Sequence, residues 1–260
     1  MTTHIEFLGM AAHRIINSEG KVILIDPFLE ENPVSPIKVK DLERVDLVLV
    51  THLAFDHIGD AEEIAKKFGC PVCCGAEVVF WLAHRGVPKE QLRGMCWGLQ
   101  VIAAGVRVRG ITSMHTSARV TDDGQFISGP PLGFIVYADP GVRVYHSGDT
   151  AIYSDLKLVG ELYRPNIGLI GVGLPPDEFL EAHGYTGLHG NEMTADEAAL
   201  AAQWLGVEYA LANHYFKAAG NPDVEQFTTI LNNLHSDDSP VVKPIILEPG
   251  DVFVYPPNEA

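Results

Sequence analysis

The sequence predicts a protein of the α/β class, with strands and helices grouped as in α+β folds, built as a four-layer αββα sandwich. Three observations lead there. A pair of strand-like runs, a short amphipathic helix and a further strand occur twice in the same order. Each of the two helices stops at a glycine, the usual left-handed end of a helix. The residues able to do chemistry stand at the ends of strand-like runs rather than inside them.

The first copy opens with β-like runs at residues 5–16 and 21–28 around the turn Ser18-Glu19-Gly20, and ends in Asp26-Pro27. Residues 60–69 follow as a helix with Ile64, Ala65 and Phe68 on one side and Gly69 as its stop, then the strand-like 71–74. The second copy pairs residues 133–137 with 142–145 around Asp139-Pro140-Gly141 and ends in His146-Ser147-Gly148-Asp149-Thr150. Its helix, residues 194–206, has a Thr194 cap, Glu197 at the third helical position and a Gly206 stop, and precedes the strand-like 207–212. Two such halves, about 1–128 and 129–260, would each form a sheet covered by helices on one face. Stacked sheet to sheet they give four layers, and shared ligand candidates make residues 1–260 one domain.

With 260 residues, 47% of them hydrophobic and 20% charged, a sizeable core is feasible. The 34 acidic against 18 basic residues give a formal charge of -16, which disfavours nucleic acid and anionic membrane as partners. No basic segment followed by an apolar stretch opens the chain and no run of 18 apolar residues occurs, so a cytoplasmic location is expected. Cys70, Cys73 and Cys74 resemble half of a zinc site, but Cys96 stands alone, and reduced structural thiols are the better reading. Neither a phosphate-binding glycine loop nor a Gly-x-Ser-x-Gly elbow is present, which removes nucleotide-driven and serine-hydrolase chemistry from consideration.

The most informative segment is Thr51-His52-Leu53-Ala54-Phe55-Asp56-His57, directly after the apolar run 45–50. His115 follows the run 106–114, Asp149 follows 142–148, and His214 follows 208–213. Side chains at strand ends can converge in one cleft, and imidazoles with carboxylates but no thiolates suit one or two divalent ions, with zinc first and manganese or iron as alternatives.

These residues resemble the metallo-β-lactamase superfamily, whose signature is His-x-His-x-Asp-His followed by a distant His, an Asp and a last His. Residues 23–28, Thr51-His52, 145–150, 155–163 and Asn213-His214-Tyr215 look most like the branch of small metal-dependent hydrolases that includes the ascorbate-6-phosphate lactonases. The resemblance implies the metallo-β-lactamase fold. It also implies a first metal held by His52, residue 54 and His115, a second held by Asp56, His57 and His214, and Asp149 as the bridge. The activity implied is opening of a small lactone, cyclic amide or related carbonyl compound by metal-activated hydroxide, with Asp56 or Asp149 managing the proton as catalytic residues.

Position 54 departs from the signature, because alanine has no donor atom. Three accounts are open: a His-to-Ala change that disables the enzyme, a natural enzyme that uses only the second metal, and a natural pseudoenzyme kept as a metal-depleted binding protein. The first is preferred, since every other ligand is in place. A small-molecule phosphodiesterase is the rival enzyme, and it would want basic residues to grip phosphate.

Outside the ligand set, Asp26 is placed to orient a ligand histidine, or else serves as a turn carboxylate. His146 is expected as hydrogen-bonded support and His13 as structural. The segment 174–191, with its Pro-Pro turn, three glycines and His183, Tyr185 and His189, reads as a loop over the site whose side chains touch substrate, or as a plain surface insertion. Specificity is expected from loops at 75–97, 116–132 and 174–191, and loops of this kind would also allow a homo-oligomer.

Overall fold

The computed structural model describes residues 2–187, 192–233 and 241–256. Strands β1 (Thr3–Phe7), β2 (His13–Ile16) and β3 (Val22–Ile25) form an antiparallel meander, and β4 (Leu47–Val50), β5 (Val72–Gly75) and β6 (Leu92–Met95) continue the sheet in parallel. The chain then changes sheet. β7 (Gln100–Ala103) and β8 (Val106–Thr112) lead into a separate ribbon of β9 (Ser117–Val120) and β10 (Phe126–Gly129). Next, β11 (Leu132–Asp139) and β12 (Val142–His146) complete an antiparallel set with β7 and β8, and β13 (Ile167–Gly171), β14 (Tyr209–Asn213) and β15 (Lys243–Ile245) add parallel strands. The last strand, β16 (Val252–Tyr255), returns to the first sheet beside β1.

The sheet orders are β16-β1-β2-β3-β4-β5-β6 and β7-β8-β11-β12-β13-β14-β15, seven strands each. Both run antiparallel over the first four strands and parallel over the rest, which is the repetition visible in the sequence. The boundary differs from a split near residue 128: β7 and β8 belong to the second sheet and β16 to the first. Hairpin pairing decides this, because β8 needs β11 as its antiparallel neighbour.

Helices α1 (Phe55–Ile58), α2 (Ala61–Phe68) and α3 (Ala76–His84) follow β4 and β5, while α4 (Leu156–Tyr163), α5 (Asp177–Ala182), α6 (Ala195–Leu205) and α7 (Pro222–Asn233) belong to the second half. Alternation along the strands builds the layers. Ile23, Ile25, Leu47 and Leu49 enter a core shared with Val108, Phe134, Val136 and Val144 of the other sheet. Their neighbours Leu24, Val48 and Val50 face Ile64, Ala65, Val78 and Leu82 of α2 and α3. Each such side chain contributes about 1.5–3 kcal/mol by leaving water, so a one-residue slip of β4 would be prohibitive.

Residues 5–16 are two strands rather than one run, turning through Gly9 and Met10 at positive φ. Sequence patterning concealed this turn because Leu8, Met10, Ala11 and Ala12 are apolar and buried. The expected loops also carry structure: 75–97 contains α3 and β6, 116–132 the β9–β10 ribbon, and 174–191 contains α5. No helix among the described residues is long and apolar enough to cross a membrane.

Candidate metal centre

Parallel strands deliver their following residues to one end of a sheet, and there the two sheets meet. His52 follows β4 and, with Asp56 and His57 on the one-turn helix α1, forms the near wall. Gly59 ends α1 at φ 37, where a Cβ would lie 2.5 Å from the Pro27 carbonyl oxygen. Only glycine lets the loop seat against the segment behind Asp26. From the second sheet come His115 beyond β8, Asp149 beyond β12 and His214 directly after β14. Ser113 Oγ donates to the Asp149 carbonyl, and the Met114 N–H to Thr150 Oγ1, tying two of these loops together.

The side chains converge. Asp149 Oδ2 lies 3.0 Å from His57 Nε2 and 3.6 Å from His52 Nε2, and Oδ1 lies 3.5 Å from His214 Nε2. Asp56 Oδ2 lies 3.5 Å from His214 Nε2 and 3.8 Å from His57 Nε2. Donor atoms of His52, His57 and Asp149 lie within 4.8 Å of one another, and so do those of Asp56, His57 and His214.

On three of the histidines the Nδ1 atom is already engaged. His57 Nδ1 is 2.8 Å from Asp26 Oδ2, His52 Nδ1 is 3.0 Å from Thr51 Oγ1, and His214 Nδ1 is 3.2 Å from the Gly173 carbonyl. Because Thr51 Oγ1 donates to Asp26, it accepts from His52. Each Nδ1 therefore carries a proton and each Nε2 is turned into the centre, the orientation that metal-binding histidines require. Among the described residues, no hydrogen bond of normal geometry satisfies Nε2 of His52, His57 or His214, or Oδ1 of Asp149, although all are buried. Such atoms are expensive to leave unpaired, and divalent ions with imidazole and carboxylate ligands fit this donor set.

Charge distribution agrees. Burial and the neighbouring His57 push His52 down to about 3, so its ring is neutral. Burial opposes charge on His57 and His214, yet Asp149 and the other carboxylates outweigh it, holding His57 well above 6.5 and raising His214 to about 9. Asp149, despite its burial, is held well below the usual carboxylate range by His57 and His214. Divalent ions would take over the positive charge that those two rings carry.

Asp26, fully buried at φ 46, accepts from the Thr51 N–H and hydroxyl at 2.8 Å each besides facing His57. His146 accepts from the Gly148 N–H and faces the Ala11 carbonyl through Nε2, and His13 faces that same carbonyl through Nδ1, so both sit apart from the ligand cluster. His183 is exposed and stacks on Phe55 with centroids 4.3 Å apart, bonding back to the Phe179 carbonyl. Tyr185 lines the cleft beside Met10, Phe55, Phe179 and Leu180. His189 lies outside the described residues.

Ala54 lines the same cleft, and so does a residue that sequence reasoning missed, Glu192. Its carboxylate Oε1 stands 3.8 Å from His115 Nδ1, and donor atoms of His115, Asp149 and Glu192 lie within 4.8 Å of one another. Burial and the Asp149 charge push its carboxyl up. No spacing rule marks Glu192, which sits two residues before the helix cap Thr194. Thr51 was visible only as part of the motif, and its role in holding two histidines is tertiary.

A fold of two stacked mixed sheets with histidines and aspartates gathered at one end defines a class. A family model for a β-lactamase superfamily domain matches residues 21–215, and the chain belongs to that superfamily. Within it, the chain is 37% identical over 214 residues to a UPF0173 metal-dependent hydrolase of Rubrobacter xylanophilus, covering 82% of this chain and 81% of the relative. It is 33% identical over 255 residues to a UPF0173 metal-dependent hydrolase of Methanobrevibacter smithii, 98% of each chain. Igni18, described as a novel metallo hydrolase from Ignicoccus hospitalis, superposes with a TM-score of 0.76 at 27% identity, covering 98% of this chain and 99% of that one. The protein is a metal-dependent hydrolase.

Proposed function

We propose that the protein hydrolyses a small lactone, cyclic amide or related carbonyl compound at this centre. The observation that carries the reading is the composition of the cleft: imidazole and carboxylate donors at its floor, apolar walls, and neither lysine nor arginine among its described lining residues. A phosphodiester would arrive with a negative charge that no lysine or arginine of the described lining meets, whereas a neutral ring ester or amide meets walls of matching polarity.

His52, His115 and Asp149 would hold one divalent ion, and Asp56, His57 and His214 the other, with Asp149 between them. When bound, such ions supply Lewis-acid polarisation of the scissile carbonyl and an activated water at neutral pH. Asp26 fixes the His57 ring through Nδ1, and Thr51 fixes His52 while bonded to Asp26. Asp149 or Asp56 would take the proton released by attacking water and return it to the leaving oxygen or nitrogen. Phe55, Phe179 and Leu180 give the cleft apolar walls, and Tyr185 beside them would supply a hydroxyl donor to a substrate carbonyl.

The test is a panel of chromogenic lactones, cyclic amides and phosphodiesters, run with the metal-loaded parent protein and with Ala54→His. Turnover confined to the ring carbonyl compounds is expected. Turnover confined to phosphodiesters would overturn the substrate class, and tight ligand capture without turnover in either form would mean a binding protein.

A further inference from the structure

We propose that the Glu192 carboxylate takes the place of the imidazole missing at position 54, completing the first metal position as His52, His115, Asp149 and Glu192. This rests on the reading of His52, His115 and Asp149 as ligands. Those three leave a zinc-like ion one donor short of the usual four, and alanine supplies none. Among the described residues, a Glu192 oxygen lies within 4.8 Å of donor atoms of His115 and Asp149, His52 joins the same Asp149 in a neighbouring triad, and Glu192 lines the same cleft as Ala54.

A second observation, independent of Glu192, points to a cation there. His52 Nε2, 3.6 Å from Asp149 Oδ2, is buried and among the described residues is satisfied by no hydrogen bond of normal geometry, and the His52 and His115 rings stand edge to face at 5.1 Å. Asp56, Asp149 and Glu192 bring three carboxyl groups to one cleft whose described lining includes neither lysine nor arginine. Divalent ions relieve that repulsion.

The exchange of imidazole for carboxylate also changes the chemistry. Two nitrogens and two oxygens make a harder, more negative ligand set than three nitrogens and one oxygen, which shifts preference from zinc toward manganese or iron. Ala54 then belongs to a working dinuclear centre in which the fourth ligand arrives from the other half of the chain.

The experiment is metal content per chain by plasma mass spectrometry after equilibration with Mn²⁺, and separately Zn²⁺, followed by desalting. It compares the parent chain, Glu192→Gln, Glu192→Ala, and Ala54→His combined with Glu192→Gln, and thermal unfolding of each metal-free form checks folding. Two ions are expected in the parent, one in each single variant and two again in the combined variant. Two ions retained by both Glu192 variants would overturn the proposal, as would one ion in the parent and variants alike, which leaves the other ligands standing. An absence of bound metal in the parent would overturn the ligand reading itself, and this inference with it.

Discussion

Replacing Asp26 by asparagine keeps shape and removes one charge, and the left-handed backbone at φ 46 suits asparagine as well as aspartate. The carboxylate now faces three donors: the Thr51 N–H, the Thr51 hydroxyl and His57 Nδ1–H. An amide cannot accept on both sides. If its oxygen faces the Thr51 N–H, its NH2 meets both the Thr51 hydroxyl and His57 Nδ1 and drives the ring to the tautomer with its proton on Nε2, the atom needed for metal. If its oxygen faces His57, the NH2 opposes the Thr51 N–H. Either way a charge-assisted bond of about 1.5–3 kcal/mol is lost or reversed. About 10–100-fold weaker metal affinity is expected, the range found when a partner behind a metal-binding histidine is removed. Titration calorimetry with Zn²⁺ and Mn²⁺ on Asp26→Asn reads it directly, alongside unfolding of the metal-free form. Affinity within threefold of the parent, in a folded variant, would refute the orienting role.

Gly59→Ala places a Cβ 2.5 Å from the Pro27 carbonyl oxygen and 2.7 Å from Phe28 Cα at a positive φ, so a loss of about 2–4 kcal/mol is expected by chemical denaturation. Glu77 gives a pH dependence away from the metal ligands: burial pushes its carboxyl above 4.5, with Ser117 only partly offsetting it. Its neutral form favours folding, so that stability is fully present below 4.5 and is lost as pH rises through the folded value. Glu77→Gln should then be more stable relative to the parent at pH 8 than near pH 4, by chemical denaturation, and an equal difference at both pH values would contradict this. Phe179→Ala opens the wall where Phe179 meets Phe216 and His183 at 4.8 and 4.3 Å. It should raise KM about 5–15-fold with little change in kcat, as expected when uniform apolar binding is removed.

Much of this molecule was legible in its sequence because the signals are local. Asp60 through Gly69 reads as a helix with a stop, Thr194 and Glu197 form the cap they suggest, and Asp139-Pro140-Gly141 turns a hairpin. His52, Asp56 and His57 stand close together in the chain, and their residue types alone select imidazole and carboxylate chemistry. Composition likewise set the charge and the capacity for a core.

Tertiary structure decided what depends on contacts between distant segments. Whether β7, β8 and β16 join one sheet or the other is a matter of pairing, which hydrophobic alternation does not encode. The turn at Gly9 and Met10 was hidden because its apolar residues serve the core from a loop. Which ring nitrogen of each histidine faces the centre follows from Asp26, Thr51 and the Gly173 carbonyl, partners drawn from different strands' ends. Glu192 stands beside His115 only because the second sheet brings their segments together. Local pattern specifies elements, but a metal centre is a set of through-space distances, and only the packed sheets determine those.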